Sequence, residues 1–412
     1  MKKLAWVPAF FALRIGLAVG LLKLSASFLP VSGFTVFTQL TLFSTLLSTL
    51  ALCGAQNGVV RQAAAAAGVE ELKRTQSAAF AIWSVAAPIA LLAVLAGRNL
   101  VSNILVGAPG DGPVVLAIAI AALVGAPSGI WCALLTGRKH VAQSLSAQAA
   151  GLVAGAAGAA WRIMAHDAAG AAVAFASGPL VTSCVALPLT LRLGLPLFPH
   201  RWGWGPVRTL LRYSTAFAVT TGYAAVVAFG LRWLYREHFG VTQLGYWLAS
   251  SRVSDMSTQL LGLFMIQMFV PHVAMVPDEG DRRAFLLRCW AAGVGVMGCA
   301  LLVFSIGQRP LIHLFLSDAY LPAASIIQVY MVGDLLRVWP SLAMHTAFAN
   351  GQPLRYAGIE AASLTVMAVV ASALTLAGDP AAPQTGYVAA YALAATAVSI
   401  AFLLRPARPA IA

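Results

Sequence analysis

Charge is what this sequence has least of. Only 9% of its 412 residues are Asp, Glu, Lys or Arg, against roughly 25% in ordinary soluble domains, which excludes a water-solvated surface of normal extent. Carboxylates are scarcer than cations, 13 against 26, and no acidic pair stands at an outer helix end where an enzyme acting on lipid-linked sugars needs acid, base or metal ligands. The five cysteines, Cys53, Cys132, Cys184, Cys289 and Cys299, lie inside apolar segments, odd in number and without a C-x-x-C pair. That excludes a disulfide framework or zinc site and leaves them as small packing residues. No G-x-x-x-x-G-K-[ST] string is present to cradle ATP, and the seven histidines show no H-E-x-x-H or other ligand spacing. No cofactor, metal or catalytic residue is expected, and no enzyme.

Apolar sequence fills the space. Hydrophobic residues make up 60% of the chain and the mean hydropathy is +0.84, so lipid is its solvent. A membrane-crossing helix takes about 20 mostly apolar residues. Twelve stretches qualify, near residues 4–29, 34–58, 77–97, 114–136, 142–161, 170–191, 213–234, 244–275, 289–306, 321–348, 356–377 and 387–404. The expected fold class is an all-α membrane protein of twelve transmembrane helices in two six-helix lobes related by a pseudo-two-fold axis. The segment Met1-Lys2-Lys3 with its following run is read as an uncleaved first span, because Pro8 and Arg14 interrupt it.

The net charge of +13 is explained by orientation in the membrane and not by nucleic acid. With the N-terminus inside, cytoplasmic segments hold 17 of the 26 basic residues and outer segments 5, which places both termini in the cytoplasm. The connection over residues 192–212, with Pro196, Pro199, Trp202, Trp204 and Pro206, reads as interfacial. It divides an N-terminal lobe, 1–195, from a C-terminal lobe, 213–412, with 196–212 as linker. Gly137 and Gly351, placed alike at the ends of the fourth and tenth spans, hint at an internal repeat.

Seven charges remain at span positions: Arg14, Lys23, Arg252, Asp255, Asp334, Arg337 and Glu360. A charged side chain at mid-bilayer costs about 2.5 to 3.5 kcal/mol on insertion scales, so such residues face a protein interior or a wet cavity. Arg252 with Asp255, and Asp334 with Arg337, are spaced i, i+3 and share a helix face. Two readings stay open for each pair, a self-contained buried ion pair or a role in a cavity. Lys23 and Glu360 lie nearer their span ends, where snorkelling also explains them. Arg14 lies about 15 Å along its helix at 1.5 Å per residue and is the foremost candidate. Arg14, Lys23, Arg252 and Arg337 outnumber Asp255 and Asp334, so a cavity they shared would favour a phosphate-bearing ligand and repel a cationic one. Pro88, Pro127, Pro188, Pro271 and Pro340, within or near the ends of spans, would bend helices and free backbone carbonyls. Three G-x-x-x-G pairs, at Gly16, Gly54 and Gly151, are candidate close contacts.

Four strings go beyond composition: Gln56-Asn57-Gly58-Val59; Gly245-Tyr246-Trp247 followed by Ser250-Ser251 and Ser254-Asp255; Val332-Gly333-Asp334-Leu335-Leu336-Arg337-Val338; and Leu354-Arg355-Tyr356 leading to Glu360. Through them the chain resembles the Wzx-type flippases, the O-antigen and enterobacterial common antigen (lipid III) translocases of the multidrug/oligosaccharidyl-lipid/polysaccharide exporter superfamily. The resemblance implies a two-lobed protein passing an undecaprenyl-pyrophosphate-linked oligosaccharide between leaflets by alternating access. It also implies partners in polysaccharide assembly, a polymerase and a chain-length regulator, besides membrane lipid. On this reading Arg14, Lys23, Arg252 and Arg337 bind substrate, while Asp255, Asp334 and Glu360 pair charges or couple transport to a proton. The rival readings are a cation-coupled multidrug exporter of the same superfamily and a membrane glycan polymerase or ligase.

Overall fold

The computed structural model describes residues 6–195, 203–265, 269, 273, 279–350 and 352–403, and these are almost wholly helical. They fall into two compact units, Met1–Ala225 and Val226–Ala412. Among the described residues, nine helices are long and apolar enough to cross a membrane. Three of the twelve expected spans are outside that set. One is the helical stretch at 142–161, diluted by Ala, Gly, Ser and Gln; another, 213–234, lies along the helical run Trp204–Phe264, which also carries the third, 244–275, as far as Phe264, most of its remainder lying outside the described residues.

The first unit contains α1 (Trp6–Phe28), α2 (Val31–Ala51), α3 (Ala55–Ala65), α4 (Val69–Ala96), α5 (Arg98–Val106), α6 (Gly112–Gly125), α7 (Ser128–Gly137), α8 (Val141–Met164), α9 (Ala168–Ala176) and α10 (Gly178–Arg192). The expected helix over 34–58 is two helices. Cys53 and Gly54 both take positive φ, 46° and 71°, a left-handed turn that cannot continue the helix. Pro127 likewise separates α6 from α7. α4 begins eight residues before the expected span, because Glu70 and Glu71 suit a helix N-terminus. Glu71 also accepts the Ala67 N–H at 2.8 Å. Asp167 caps α9 by accepting the Gly170 N–H at 2.7 Å and pairs with Arg162 at 3.2 Å.

Residues 196–202 of the expected linker lie outside the described residues, and helix α11 (Trp204–Phe264) begins directly after them. The division between units falls within α11, which is broken at Gly240 (φ 82°, ψ 172°). The second unit continues with α12 (Glu279–Ile306), α13 (Gln308–Phe315), α14 (Ala324–Ala349), α15 (Pro353–Leu376) and α16 (Ala382–Leu403). Its core joins Val338, Trp339 and Leu342 of α14 to Cys289 and Met297 of α12. Pro271 and Gly351 lie outside the described residues.

The three glycine pairs behave differently. Gly151 of α8 faces Gly178 and Thr182 of α10 so closely that an added Cβ would collide with the Gly178 carbonyl, and Gly155 packs tightly on Phe175 and Gly178, whereas Gly16 and Gly20 face open space. Gly54 instead supplies the left-handed turn before α3.

Apolar side chains also cover the outside. On α4, Val85, Ile89 and Leu92 are 61%, 62% and 63% exposed and recur at the i, i+4, i+7 spacing of one helix face. An apolar stripe of this kind facing outward is stable in lipid and unstable in water. The chain is a multi-pass membrane protein.

Candidate functional site

In the first unit, α1, α2, α3, α7, α8, α9 and α10 line an open cavity of about 460 Å³. Gly129, Gly151, Gly155 and Gly178 on its lining let the surrounding helices and the Gln56 side chain approach closely. Ser48, Gln56, Ser128, Thr136, Gln148 and Thr182 make its wall polar, and Phe10, Leu152 and Phe175 make the rest apolar. Some of these hydroxyls are engaged locally. Thr136 donates to Ser144 Oγ at 2.9 Å, and Ser48 reaches the Ala122 carbonyl at 3.4 Å.

Arg14 supplies the one formal charge on the described lining, with no carboxylate facing it. Its side chain is exposed. Among the described residues it has no hydrogen-bond or ion-pair partner, while most intramembrane charges pair with each other or with backbone. An unpaired guanidinium on a polar cavity offers five donors in a fixed planar fork, the geometry that receives phosphate or carboxylate two bonds at a time. Lys23, nine positions further along α1, is half-buried and lies off this lining.

The remaining predicted residues belong to the second unit, where the structure joins them through tyrosines. Asp334 is buried, 1% exposed. Its carboxylate accepts from Ser254 Oγ at 2.9 Å and from the Tyr387 hydroxyl at 2.8 Å. Arg337 donates to that same Tyr387 oxygen at 3.4 Å and places its guanidinium 5.0 Å from the centre of the Tyr391 ring. The i, i+3 spacing therefore brings Asp334 and Arg337 together through a shared phenol. Glu360 lies within electrostatic reach of Arg337, and Asp255 within reach of Arg252. Tyr330, close to Tyr387 with ring centres 4.9 Å apart, accepts from Trp247 Nε1 and feels Arg232, Asp255 and Asp334.

This network does chemistry of a restrained kind. Two hydroxyl donors ordered around a buried carboxylate satisfy its acceptor oxygens inside the protein. Tyr387 and Tyr391 were not evident from the sequence, since nothing in spacing ties residues some 50 positions apart, and Tyr330, one turn before Asp334, carries no charge to single it out. Ser254 stood in one of the quoted strings without a role. Gln56 stood there too, and its place on the cavity wall required the turn at Cys53 and Gly54.

Compared with protein-family models and with curated protein sequences, the chain matches none. Its fold has clear counterparts among solved structures. It superposes on the lipid II flippase MurJ in an inward closed conformation with a TM-score of 0.75 and 11% identity, over 98% of this chain and 88% of that one. It is similar to a multidrug resistance MATE family transporter of the MOP superfamily in an inward-facing conformation, with a TM-score of 0.68 and 12% identity over 96% of both chains. A third counterpart is a MOP superfamily transporter from Pyrococcus furiosus, whose binding pocket is described as reversed in polarity, suggesting a different function. There the TM-score is 0.62 and the identity 13%, over 98% of this chain and 95% of that one. The fold is thus that of MOP superfamily transporters, a lipid II flippase and a multidrug resistance transporter among them.

Proposed function

We propose that the chain is a flippase which moves an anionic, polyprenyl-pyrophosphate-linked oligosaccharide from the cytoplasmic to the outer leaflet of a bacterial inner membrane by alternating access. The observation that carries this reading is Arg14, the one formal charge on the described lining of a cavity of about 460 Å³. The volume lies within the roughly 300 to 1,000 Å³ typical of small-molecule sites, enough for a pyrophosphate and its first sugar. In the proposed cycle the polar head rests in the cavity against Arg14, Gln56 and Gln148 while the prenyl tail stays in lipid. That arrangement spares the transfer of a charged group through hydrocarbon, which costs many kcal/mol.

The Asp334–Tyr387–Arg337 network has a supporting part in this proposal. Its hydroxyl-held carboxylate is the candidate coupling group, and Arg252 and Arg337 remain candidates for contact with acidic sugars. The exporter reading draws on the MATE counterparts. It needs a carboxylate to hold a proton, a sodium ion or a cationic drug, and the described lining of the Arg14 cavity has none. Basic-residue asymmetry supports cytoplasmic termini, and the resemblance of the quoted strings supports the O-antigen and common-antigen branch.

Purified protein in liposomes carrying a fluorescent polyprenyl-pyrophosphate sugar tests the proposal through leaflet accessibility to a membrane-impermeant quencher. Wild type is expected to equilibrate the label between leaflets, and Arg14→Gln to slow it about tenfold or more. That factor is the equivalent of one charge-assisted hydrogen bond of about 1.5 to 3 kcal/mol. Equal rates for both proteins, or transport of ethidium without movement of the labelled lipid, would overturn it.

A further inference from the structure

A second cavity lies in the other unit, about 210 Å³ in volume, where the ends of four helices converge. Arg282 and Arg283 come from the first turns of α12, Asn350 and Gln352 from the turn after α14, Arg355 from the start of α15 and Phe402 from the end of α16. In the sequence these three arginines are explained by topology alone. The fold gathers them on one cavity.

The lining is divided by chemistry. One part holds the three guanidinium groups with Asn350, Gln352 and Thr346; the other is Leu286, Trp339, Leu342, Val398 and Phe402, continuous with the unit's apolar core. Two arginines are positioned by neighbours that leave their charge in place. Arg283 lies over the Phe402 ring, 4.4 Å from its centre, and Arg355 donates to Gln352 Oε1 at 3.4 Å. No carboxylate is among the described lining residues.

We infer that this cavity is a binding site for a lipid-borne phosphate, namely the headgroup of an anionic phospholipid, with the arginines on the phosphodiester and the apolar wall along the start of the acyl chains. Three cations and two amides around one space select a multivalent oxygen anion, with planar arginine forks matching phosphate. The apolar wall adds a reason for that phosphate to carry hydrocarbon. Volume favours a small headgroup over the oligosaccharide cargo of the Arg14 cavity, about 210 Å³ against about 460 Å³. The basic-residue asymmetry assigns this end to the cytoplasmic side, where basic pockets between membrane helices meet anionic headgroups. The inference requires only a membrane protein and is independent of what is transported.

Lipid retention measures it. The full chain is purified in mild detergent, exposed to equimolar phosphatidylglycerol and phosphatidylcholine, and weighed intact by native mass spectrometry. Wild type is expected to retain phosphatidylglycerol about tenfold over phosphatidylcholine, the equivalent of one charge-assisted contact. The triple variant Arg282→Gln, Arg283→Gln, Arg355→Gln should lose that preference. A control triple of equal charge change, Lys73→Gln, Arg74→Gln, Lys139→Gln, should keep it. Ala343→Phe, which fills the cavity and leaves every charge, should lose it too and guards against a misfolded arginine variant.

Equal loss in both triples would mean general surface charge and overturn the site. Displacement of the lipid by millimolar inorganic phosphate would show a free-anion site and overturn the lipid assignment. Retention of undecaprenyl phosphate ahead of phosphatidylglycerol through the same arginines would overturn the phospholipid in favour of the carrier.

Discussion

The Tyr387 hydroxyl stands between two charges, donating to Asp334 Oδ1 at 2.8 Å and accepting from Arg337 at 3.4 Å. A phenol oxygen can do both at once because it carries one hydrogen and two lone pairs. It lets a buried carboxylate and a half-buried guanidinium share a helix face without direct contact. Tyr387 also closes over Gly333, where any Cβ would strike its ring.

Removing that oxygen is expected to be costly. Tyr387→Phe leaves Asp334 with one fewer donor while keeping the ring, and a buried polar group deprived of a partner costs about 1 to 3 kcal/mol. Thermal unfolding in detergent should show a lower midpoint for Tyr387→Phe than for Tyr391→Phe, whose ring still faces Arg337. A midpoint unchanged from wild type would dissolve the proposed bridge.

Ser254 and Asp334 should be energetically coupled. Each alone, Ser254→Ala and Asp334→Asn, removes part of one hydrogen-bonded unit, so their combined effect should fall short of the sum by about 0.5 to 3 kcal/mol. A double-mutant cycle on unfolding free energy reads this directly. Strict additivity is the contrary result.

The α8–α10 contact separates one glycine pair from another. Gly151→Val pushes a branched side chain into Thr182 and the Gly178 carbonyl, and overpacking of this kind costs about 1 to 3 kcal/mol. Gly16→Val meets open space. Size-exclusion profiles of the two variants should show loss of monodisperse protein for the first and a wild-type profile for the second.

Gly240 holds φ 82° and ψ 172°, a region essentially reserved for glycine and costing other residues about 1 to 3 kcal/mol. Gly240→Ala should therefore lower the unfolding midpoint although nothing lies within 4 Å of an added Cβ. An unaffected midpoint would mean that the break in α11 relaxes into continuous helix.

Reversing the charge at position 14 should reverse the ligand preference of the Arg14 cavity. Arg14→Glu places a carboxylate on a wall without other formal charge on its described lining, so ethidium binding, followed by fluorescence, should rise at least several-fold over wild type while binding of the pyrophosphate lipid falls. If neither changes, the cavity is not where ligands bind.

Hydropathy and charge scarcity by themselves decided that this chain lives in lipid and where most of its helices run, because a membrane span must be long, apolar and continuous and so leaves its mark in consecutive residues. They also singled out Arg14, since a charge deep in an apolar run is conspicuous without any partner being known. What consecutive residues could not decide was who meets whom. The placement of Tyr387 between Asp334 and Arg337, and the gathering of Arg282, Arg283 and Arg355 around one cavity, depend on helices far apart in the chain packing side by side. Such contacts have no spacing rule, because distance in space is set by the packed helices and not by the number of residues between them.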